Sequence, residues 1–201
     1  MVRIGLTGLM ASGKSTVARR FQELGAELVD GDAIGWEVLR RPRVRDAIRD
    51  QFGDSAIDGR GEVDRVRLGR IVFLDPGAMN RLNAIVQPQL LARVREIVDV
   101  TGEGIRVLDA ALLTTWGLEP ELDGVVEVVA PKEVRIRRLR AARGYSESDA
   151  RERIDGQKLP PVRGARRHWR IENDADPPEL HRRSDAVWAE IEALARPIRP
   201  A

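Results

Sequence analysis

The sequence contains no cysteine and only three lysines among its 201 residues. Without cysteine there can be no disulfide framework, no thiol nucleophile and no thiolate metal site. No apolar run reaches the length of a transmembrane helix, and the apolar stretch at the N-terminus is too short for a secretory signal. We therefore expect a cytoplasmic protein without a membrane partner.

Charge is distributed unevenly along the chain. The formal net charge is only +2, yet the segment 132–170 carries thirteen Lys/Arg residues against five Asp/Glu residues. This local excess of positive charge suits a phosphate-bearing partner. An arginine-rich helix face in contact with solvent would have the same composition, so charge alone does not decide between the two.

Short apolar runs alternate with segments of helical periodicity, and this alternation predicts an α/β fold with a mostly parallel sheet covered on both faces. The predicted strands are 3–7, 26–29, 105–108, 125–129 and 169–171. The predicted helical segments are 14–24, 33–51, 64–100, a helix opened by Pro131, 146–157 and 178–195. Ligands of such sheets bind at the carboxyl ends of the strands, where Thr7, Asp30–Asp32 and Asp109 lie.

One motif specifies the class of protein. Residues 8–15 read GLMASGKS, which fits the P-loop pattern G-x-x-x-x-G-K-[ST] between a predicted strand and a predicted helix. The glycines let backbone N–H groups surround a phosphate, and the helix N-terminus adds partial positive charge. Lys14 is then expected to reach the β- and γ-phosphates of ATP, and the Ser15 hydroxyl to ligate Mg²⁺. The motif implies a P-loop NTPase fold with three α/β/α layers.

Several kinds of P-loop protein remain open at this point. The guanine-specificity motif N-K-x-D is absent, which argues against a GTPase, and the chain is shorter than most helicases. A nucleic-acid-binding protein would be expected to interleave aromatic residues with its arginines, but the basic segment holds only Tyr145 and Trp169. We therefore expect small-molecule partners and no nucleic acid. A nucleoside or nucleoside-monophosphate kinase and a non-catalytic ATP sensor remain alternatives, and the sequence does not specify an oligomeric state.

A series of short motifs follows the P-loop along nearly the whole chain. The pieces are 4–8 (IGLTG), 13–17 (GKSTV), 29–34 (VDGDAI), 52–53 (FG), Asp58, Asp64, Arg65, Arg138-Leu139, Arg153-Ile154, Gln157 and Ile171 with Asn173. Outside the P-loop each piece is short, but their order and spacing are specific together. In these motifs the chain resembles the dephospho-coenzyme A kinases.

The resemblance implies ATP-dependent phosphorylation of the ribose 3′-hydroxyl of dephospho-CoA, with Mg²⁺ as cofactor. It also implies one kinase domain over 1–201, with a core at about 1–40 and 101–201. A helical acceptor-binding insertion would occupy about 41–100 and an arginine-rich lid about 138–168.

Site residues follow from the motif and the resemblance together. Lys14, Asp32, Arg138 and Arg143 are expected to be catalytic, with Asp32 orienting the acceptor hydroxyl or accepting its proton. The expected ATP-binding residues are Gly8, Ala11, Ser12, Gly13, Lys14, Ser15, Thr16 and, near the adenine, Asn173. Asp109 could hold Mg²⁺ through water. The structural alternatives are an N-cap role for Asp32 before a helix starting at Ala33, surface ion pairs for the arginines, and a cap or turn for Asn173 and Asp109.

The departures from the family pattern lie on the acceptor side. Gln87 stands where the family has histidine, while Ala111 and Thr115 replace a proline and a glutamate; the second lid arginine is Arg143 instead of residue 142. The expected acceptor-binding residues are Asp32, Gln87 and Leu113. Two explanations stay open: a divergent dephospho-CoA kinase, or a relative that phosphorylates another nucleotide-like acceptor.

Overall fold

The computed structural model describes residues 1–196, and for residues 73, 74, 76 and 143 it describes the backbone alone. The strands are β1 Val2–Gly8, β2 Glu27–Asp30, β3 Ile105–Asp109, β4 Gly124–Val129 and β5 His168–Glu172. The helices are α1 Lys14–Glu23, α2 Gly31–Leu39, α3 Pro42–Phe52, α4 Arg65–Leu74, α5 Pro76–Val98, α6 Leu113–Trp116, α7 Lys132–Arg143, α8 Glu147–Gly156 and α9 Pro177–Ala195. None of these helices within residues 1–196 combines the length and apolar character needed to cross a membrane.

The chain forms two compact units, one made of residues 1–30 and the chain from residue 100 onward, the other of residues 31–99. The first unit contains a five-stranded sheet in the order β2-β3-β1-β4-β5. Every neighbouring pair of strands is parallel, so the predicted α/β fold with a parallel sheet is confirmed. The five predicted strands are all present, each within one or two residues of its predicted bounds.

The central strand β1 is covered on both faces, as its continuous apolar sequence predicts. Ile4 and Leu6 point to one face, where they join the main core with Phe21 of α1. Gly5 points to the opposite face because side chains alternate along a strand. There a Cβ atom on Gly5 would overlap the side chains of Leu113 and Leu122. The glycine therefore allows α6 to pack directly on the sheet.

Phe21 is the largest fully buried side chain of the first unit's core. The centroid of its ring lies 5.4 Å from the ring centroid of Trp188 in α9. We expect Phe21→Ala to lower the free energy of unfolding by about 3–5 kcal/mol, since it removes an aromatic ring and leaves a cavity. Urea denaturation followed by tryptophan fluorescence would measure this change. Val100→Ala, at a half-exposed position, is the control and should change the value by less than about 0.5 kcal/mol.

Helices α7 and α8 share a small apolar core of their own, formed by Ile136, Leu139, Ala150 and Ile154. Met10 and Ala11 of the P-loop pack against this core. The predicted N-cap of α8 is confirmed, because the Ser146 side chain accepts a hydrogen bond from the Asp149 N–H. Packing thus joins the middle of the P-loop to the two helices that follow β4.

The second unit consists of α2 to α5, with a short 3-10 helix at Asp54–Ala56. The predicted helical stretches are confirmed, although each is divided into two helices. Pro42 and Pro76 stand at the start of α3 and α5, where proline is favoured because the first N–H groups of a helix lack partners. This unit begins at residue 31, ten residues before the predicted start of the insertion. Its acceptor-binding role stays a prediction.

Candidate functional site

The P-loop connects β1 to α1, and two of its residues have left-handed backbone conformations. Gly13, the N-cap of α1, has a φ of 99° and Ala11 a φ of 60°. Within residues 1–196, no acceptor is bonded to the N–H groups of Gly13, Lys14 and Ser15, which stand at the start of α1. Three free N–H donors at a helix N-terminus are what a phosphate group needs, so the loop fits the triphosphate of ATP.

Asn173 supports this loop from beneath. Its Nδ2 donates a hydrogen bond of 2.7 Å to the Ser12 carbonyl oxygen, and its Oδ1 accepts one of 2.8 Å from Nη2 of Arg138. The residue is 4% exposed, with its own N–H bonded to Val129 O. The buried amide of Asn173 is thus bonded to the P-loop backbone and to Arg138. Its predicted position near the adenine of ATP stays a prediction.

Gly13 is the position where this support requires glycine. A Cβ atom there would overlap Nδ2 of Asn173, and the φ of 99° is unfavourable for any residue with a side chain. Gly8 is also confined, since a Cβ atom on it would lie 2.6 Å from Val128 O and 2.7 Å from the Ser12 hydroxyl. Both glycines of the motif therefore serve close packing beneath the loop as well as its turn.

Arg138, predicted to clamp phosphate, faces the same buried edge of the loop. Besides Asn173, its guanidinium contacts the Ser12 carbonyl at 3.4 Å. Burial lowers the pKa of Arg138, and the neighbouring Arg137 acts in the same direction. Contact between Arg138 and ATP stays a prediction. The side chain of Arg143, the second predicted lid arginine, lies outside the described residues.

Two further side chains hold the loop at Met10, and no role was predicted for either of them from the sequence. Arg135 Nε donates a hydrogen bond of 2.8 Å to the Met10 carbonyl, and Gln157 Oε1 accepts one of 2.5 Å from the Met10 N–H. Gln157 belongs to one of the motifs that match the family, and this match was the only sign in the sequence that the residue could matter. Arg135 lies on the buried face of α7, together with Ile136 and Leu139, and an arginine is unusual on such a face.

Lys14 forms an ion pair with Asp109 in this structure. Asp109 is the last residue of β3, in register with Leu6 of β1 and Asp30 of β2. Both side chains are mostly shielded, with 16% and 21% exposure. The pair brings together the predicted phosphate-binding cation and the carboxylate predicted to act on Mg²⁺, at the carboxyl edge of the sheet.

The residues present fit a magnesium ion that is held mainly by phosphate oxygens. Ser15 is exposed at the start of α1, and Thr16 is half-buried. Residues 1–196, apart from the four side chains not described, hold no group of three or more acidic or histidine residues able to bind a metal ion. Mg²⁺ usually takes one or two protein side chains together with substrate phosphates, so the Ser15 hydroxyl is a sufficient protein ligand.

The predicted acceptor residues differ in their exposure. Asp32 is exposed in the first turn of α2, which begins at Gly31, so Asp32 is not the residue before a helix starting at Ala33. Gln87 is half-buried in α5, directly before Pro88. Leu113 is completely buried against β1. For Leu113 the structure corrects the expectation, because its side chain belongs to the core and has no surface left for an acceptor.

Comparison with known proteins adds to this geometry. The dephospho-CoA kinase (CoaE) family profile matches residues 2–179. The chain is 38% identical over 195 residues to the dephospho-CoA kinase of Thermobifida fusca, covering 96% of this chain and 97% of that protein. It is 39% identical over 194 residues to that of Streptomyces avermitilis, with 95% and 94% coverage.

Solved structures agree with the fold. A Thermus thermophilus crystal structure superposes with a TM-score of 0.75 at 31% identity, covering 94% of this chain and 97% of that one. A shikimate kinase from Bacteroides thetaiotaomicron, at 15% identity and a TM-score of 0.53 over 95% and 98% of the chains, shares the fold alone. With its P-loop, parallel sheet and near full-length sequence similarity, the chain belongs to the dephospho-CoA kinase family.

Proposed function

We propose that this protein transfers the γ-phosphoryl group of ATP to the ribose 3′-hydroxyl of dephospho-CoA, producing coenzyme A and ADP in the final step of coenzyme A biosynthesis. The observation that carries the proposal is a P-loop that is held by Asn173 and has free N–H donors and a lysine at the start of α1, in a chain belonging to this family. The cytoplasmic location and the lack of nucleic-acid partners stay predictions.

On the nucleotide side, the N–H groups of Gly13, Lys14 and Ser15 would bind phosphate oxygens of ATP. The Lys14 ammonium, now paired with Asp109, would turn to the β- and γ-phosphates, where negative charge accumulates during transfer. Bound Mg²⁺ would neutralise phosphate charge, with Ser15 as its protein ligand and Asp109 reaching it through water. Arg138 and Arg143 would add positive charge around the transferred group.

On the acceptor side, Asp32 would orient the ribose hydroxyl and accept its proton as the hydroxyl oxygen bonds to the γ-phosphorus and ADP departs. Its carboxylate is exposed at the first turn of α2, and is thus accessible to a substrate. Gln87 would contribute hydrogen bonds that do not titrate, since an amide stands where the family has an imidazole.

A second candidate is a kinase of another nucleotide-like acceptor. It is favoured by the replacements Gln87, Ala111 and Thr115, which all lie in the acceptor-side motifs. The P-loop motif keeps all of its defining residues. Both candidates therefore use ATP as the phosphoryl donor and differ only in the hydroxyl compound that accepts the phosphoryl group. A direct comparison of acceptors separates them.

The test follows ADP release from Mg·ATP with dephospho-CoA, adenosine, AMP and CMP as separate acceptors. We expect turnover with dephospho-CoA alone. Turnover with a different acceptor would move the assignment to the second candidate. If the protein binds ATP but releases ADP with none of these acceptors, both kinase candidates are contradicted and an ATP sensor remains.

Asp32→Asn tests the proposed base in the same assay. Because general-base catalysis contributes a factor of 10²–10⁴, we expect kcat to fall at least about 100-fold while ATP binding is unchanged. Asp50→Asn is the matched control, an exposed aspartate of the same unit, and should retain activity. An Asp32→Asn enzyme with normal kcat would exclude the base role.

A further inference from the structure

We propose that Arg135 and Gln157 are positioning residues that hold the P-loop in its nucleotide-binding conformation through the backbone of Met10. The inference rests on the proposed function only in taking this loop as the ATP site. It concerns neither the acceptor nor the transferred phosphoryl group.

The argument begins with the backbone of Met10, which side chains fix on both sides. Gln157 accepts the Met10 N–H at 2.5 Å, and Arg135 donates to the Met10 carbonyl at 2.8 Å. By contrast, the Ser12 N–H is satisfied within the loop, by Leu9 O. Met10 is therefore the point where the loop is tied to α7 and to the residue that follows α8.

Burial of Arg135 makes its bond to Met10 a strong determinant of loop shape. Arg135 is 6% exposed, and burial lowers its pKa. Its Nη2 has no hydrogen-bond partner among the described residues, so the bond to Met10 O is a main compensation for placing this guanidinium in the interior. Breaking a buried bond to a charged group costs more than breaking an exposed one.

The side chain of Met10 adds a third attachment, since it packs against the apolar core shared by α7 and α8. Met10 is thus held at three points, namely its N–H, its carbonyl oxygen and its side chain. A glycine here would keep the two hydrogen bonds but lose the packing. The bulky residue at this position is explained by its contact with the helices.

Fixing Met10 affects binding because two residues that follow it have positive φ angles. Ala11, the next residue, has a left-handed conformation, and Gly13 has a positive φ. A loop that had to be ordered on binding would lose affinity to conformational entropy. With Met10 fixed, the N–H groups from Gly13 to Ser15 are already placed before ATP arrives. The Met10 N–H itself is taken by Gln157 and is not available to phosphate.

The first test measures hydrogen exchange of the Met10 amide in the nucleotide-free protein. Gln157→Met removes the acceptor at similar side-chain size, whereas Gln157→Glu keeps an oxygen that can accept the N–H. We expect rapid exchange in Gln157→Met and slow exchange in the wild type and Gln157→Glu. Equal protection in Gln157→Met and the wild type would overturn the proposal.

The second test measures ATP affinity by calorimetry without any acceptor. Loss of one part-buried hydrogen bond is expected to weaken ATP binding about 5- to 10-fold in Gln157→Met and about 10-fold in Arg135→Met. The control Glu152→Gln, an exposed α8 residue, should stay within about twofold of the wild type. Unchanged ATP affinity in Gln157→Met would overturn the proposal.

Arg135→Met replaces a buried residue and could fail to fold, so Arg135→Lys is the second variant at that position. Lysine keeps a charged donor but not the guanidinium geometry, and partial recovery of ATP affinity is expected. In steady state, KM for ATP should rise in Gln157→Met while KM for dephospho-CoA stays constant. Were the wild type to bind ATP yet leave dephospho-CoA unphosphorylated, the proposed function alone would fail, because the affinity pattern is read without an acceptor.

Discussion

Replacement of Lys14 by alanine is expected to lower kcat about 1000-fold, the scale of effect measured when one preorganised electrostatic contact to a transition state is removed. Lys14 is the first residue of α1, and the motif predicts that its ammonium group reaches the β- and γ-phosphates. In the present structure it neutralises Asp109. Removing it takes away the positive charge that faces both Asp109 and the incoming triphosphate, so the attraction for the transferred phosphate is lost.

Two further lysine variants sharpen this prediction. Lys14→Arg retains charge but replaces a compact ammonium by a planar guanidinium, so we expect most of the activity to remain lost. Lys132→Ala, which removes an exposed lysine paired with Asp155, is the control and should behave as the wild type. Steady-state kinetics with varied ATP measures all three, and a Lys14→Ala enzyme within about tenfold of the wild type would contradict the assigned role.

Gly13→Ala is expected to abolish ATP binding while the sheet and the main core stay folded. The added Cβ would overlap Nδ2 of Asn173 and would have to adopt a φ of 99°. Either the N-terminus of α1 or the Asn173 amide must move, and the amide also holds Ser12 and Arg138. Both movements disturb the N–H groups that bind phosphate.

Gly35→Ala provides the matched control for Gly13→Ala. Gly35 lies inside α2 with no neighbouring atom within 4 Å of an added Cβ, so alanine should be tolerated and should stabilise the helix by up to about 1 kcal/mol. Calorimetric titration with ATP, together with circular dichroism, separates loss of binding from loss of fold. Detectable ATP binding by Gly13→Ala at near wild-type affinity would contradict the steric argument.

Local patterns in the sequence were sufficient for the elements of secondary structure. Continuous apolar runs predict the buried strands, and Ser146 and Pro131 mark helix starts that the structure places within one residue. The sequence did not indicate the short helix α6, which has one turn and no periodicity to detect. It also did not indicate that helical segments divide at residues 40–41 and 75.

The sequence by itself determined the P-loop, the parallel α/β fold and the family, because each depends on residues close together in the chain or on the order of short motifs. Tertiary structure alone decided which side chains brace the loop. Asn173 meets Ser12 across 161 positions of sequence, and Gln157 meets Met10 across 147. Burial of Leu113 against Gly5 likewise depends on how α6 packs on the sheet. Contacts over such separations are set by the packing of whole elements, and no local pattern of residue types encodes them.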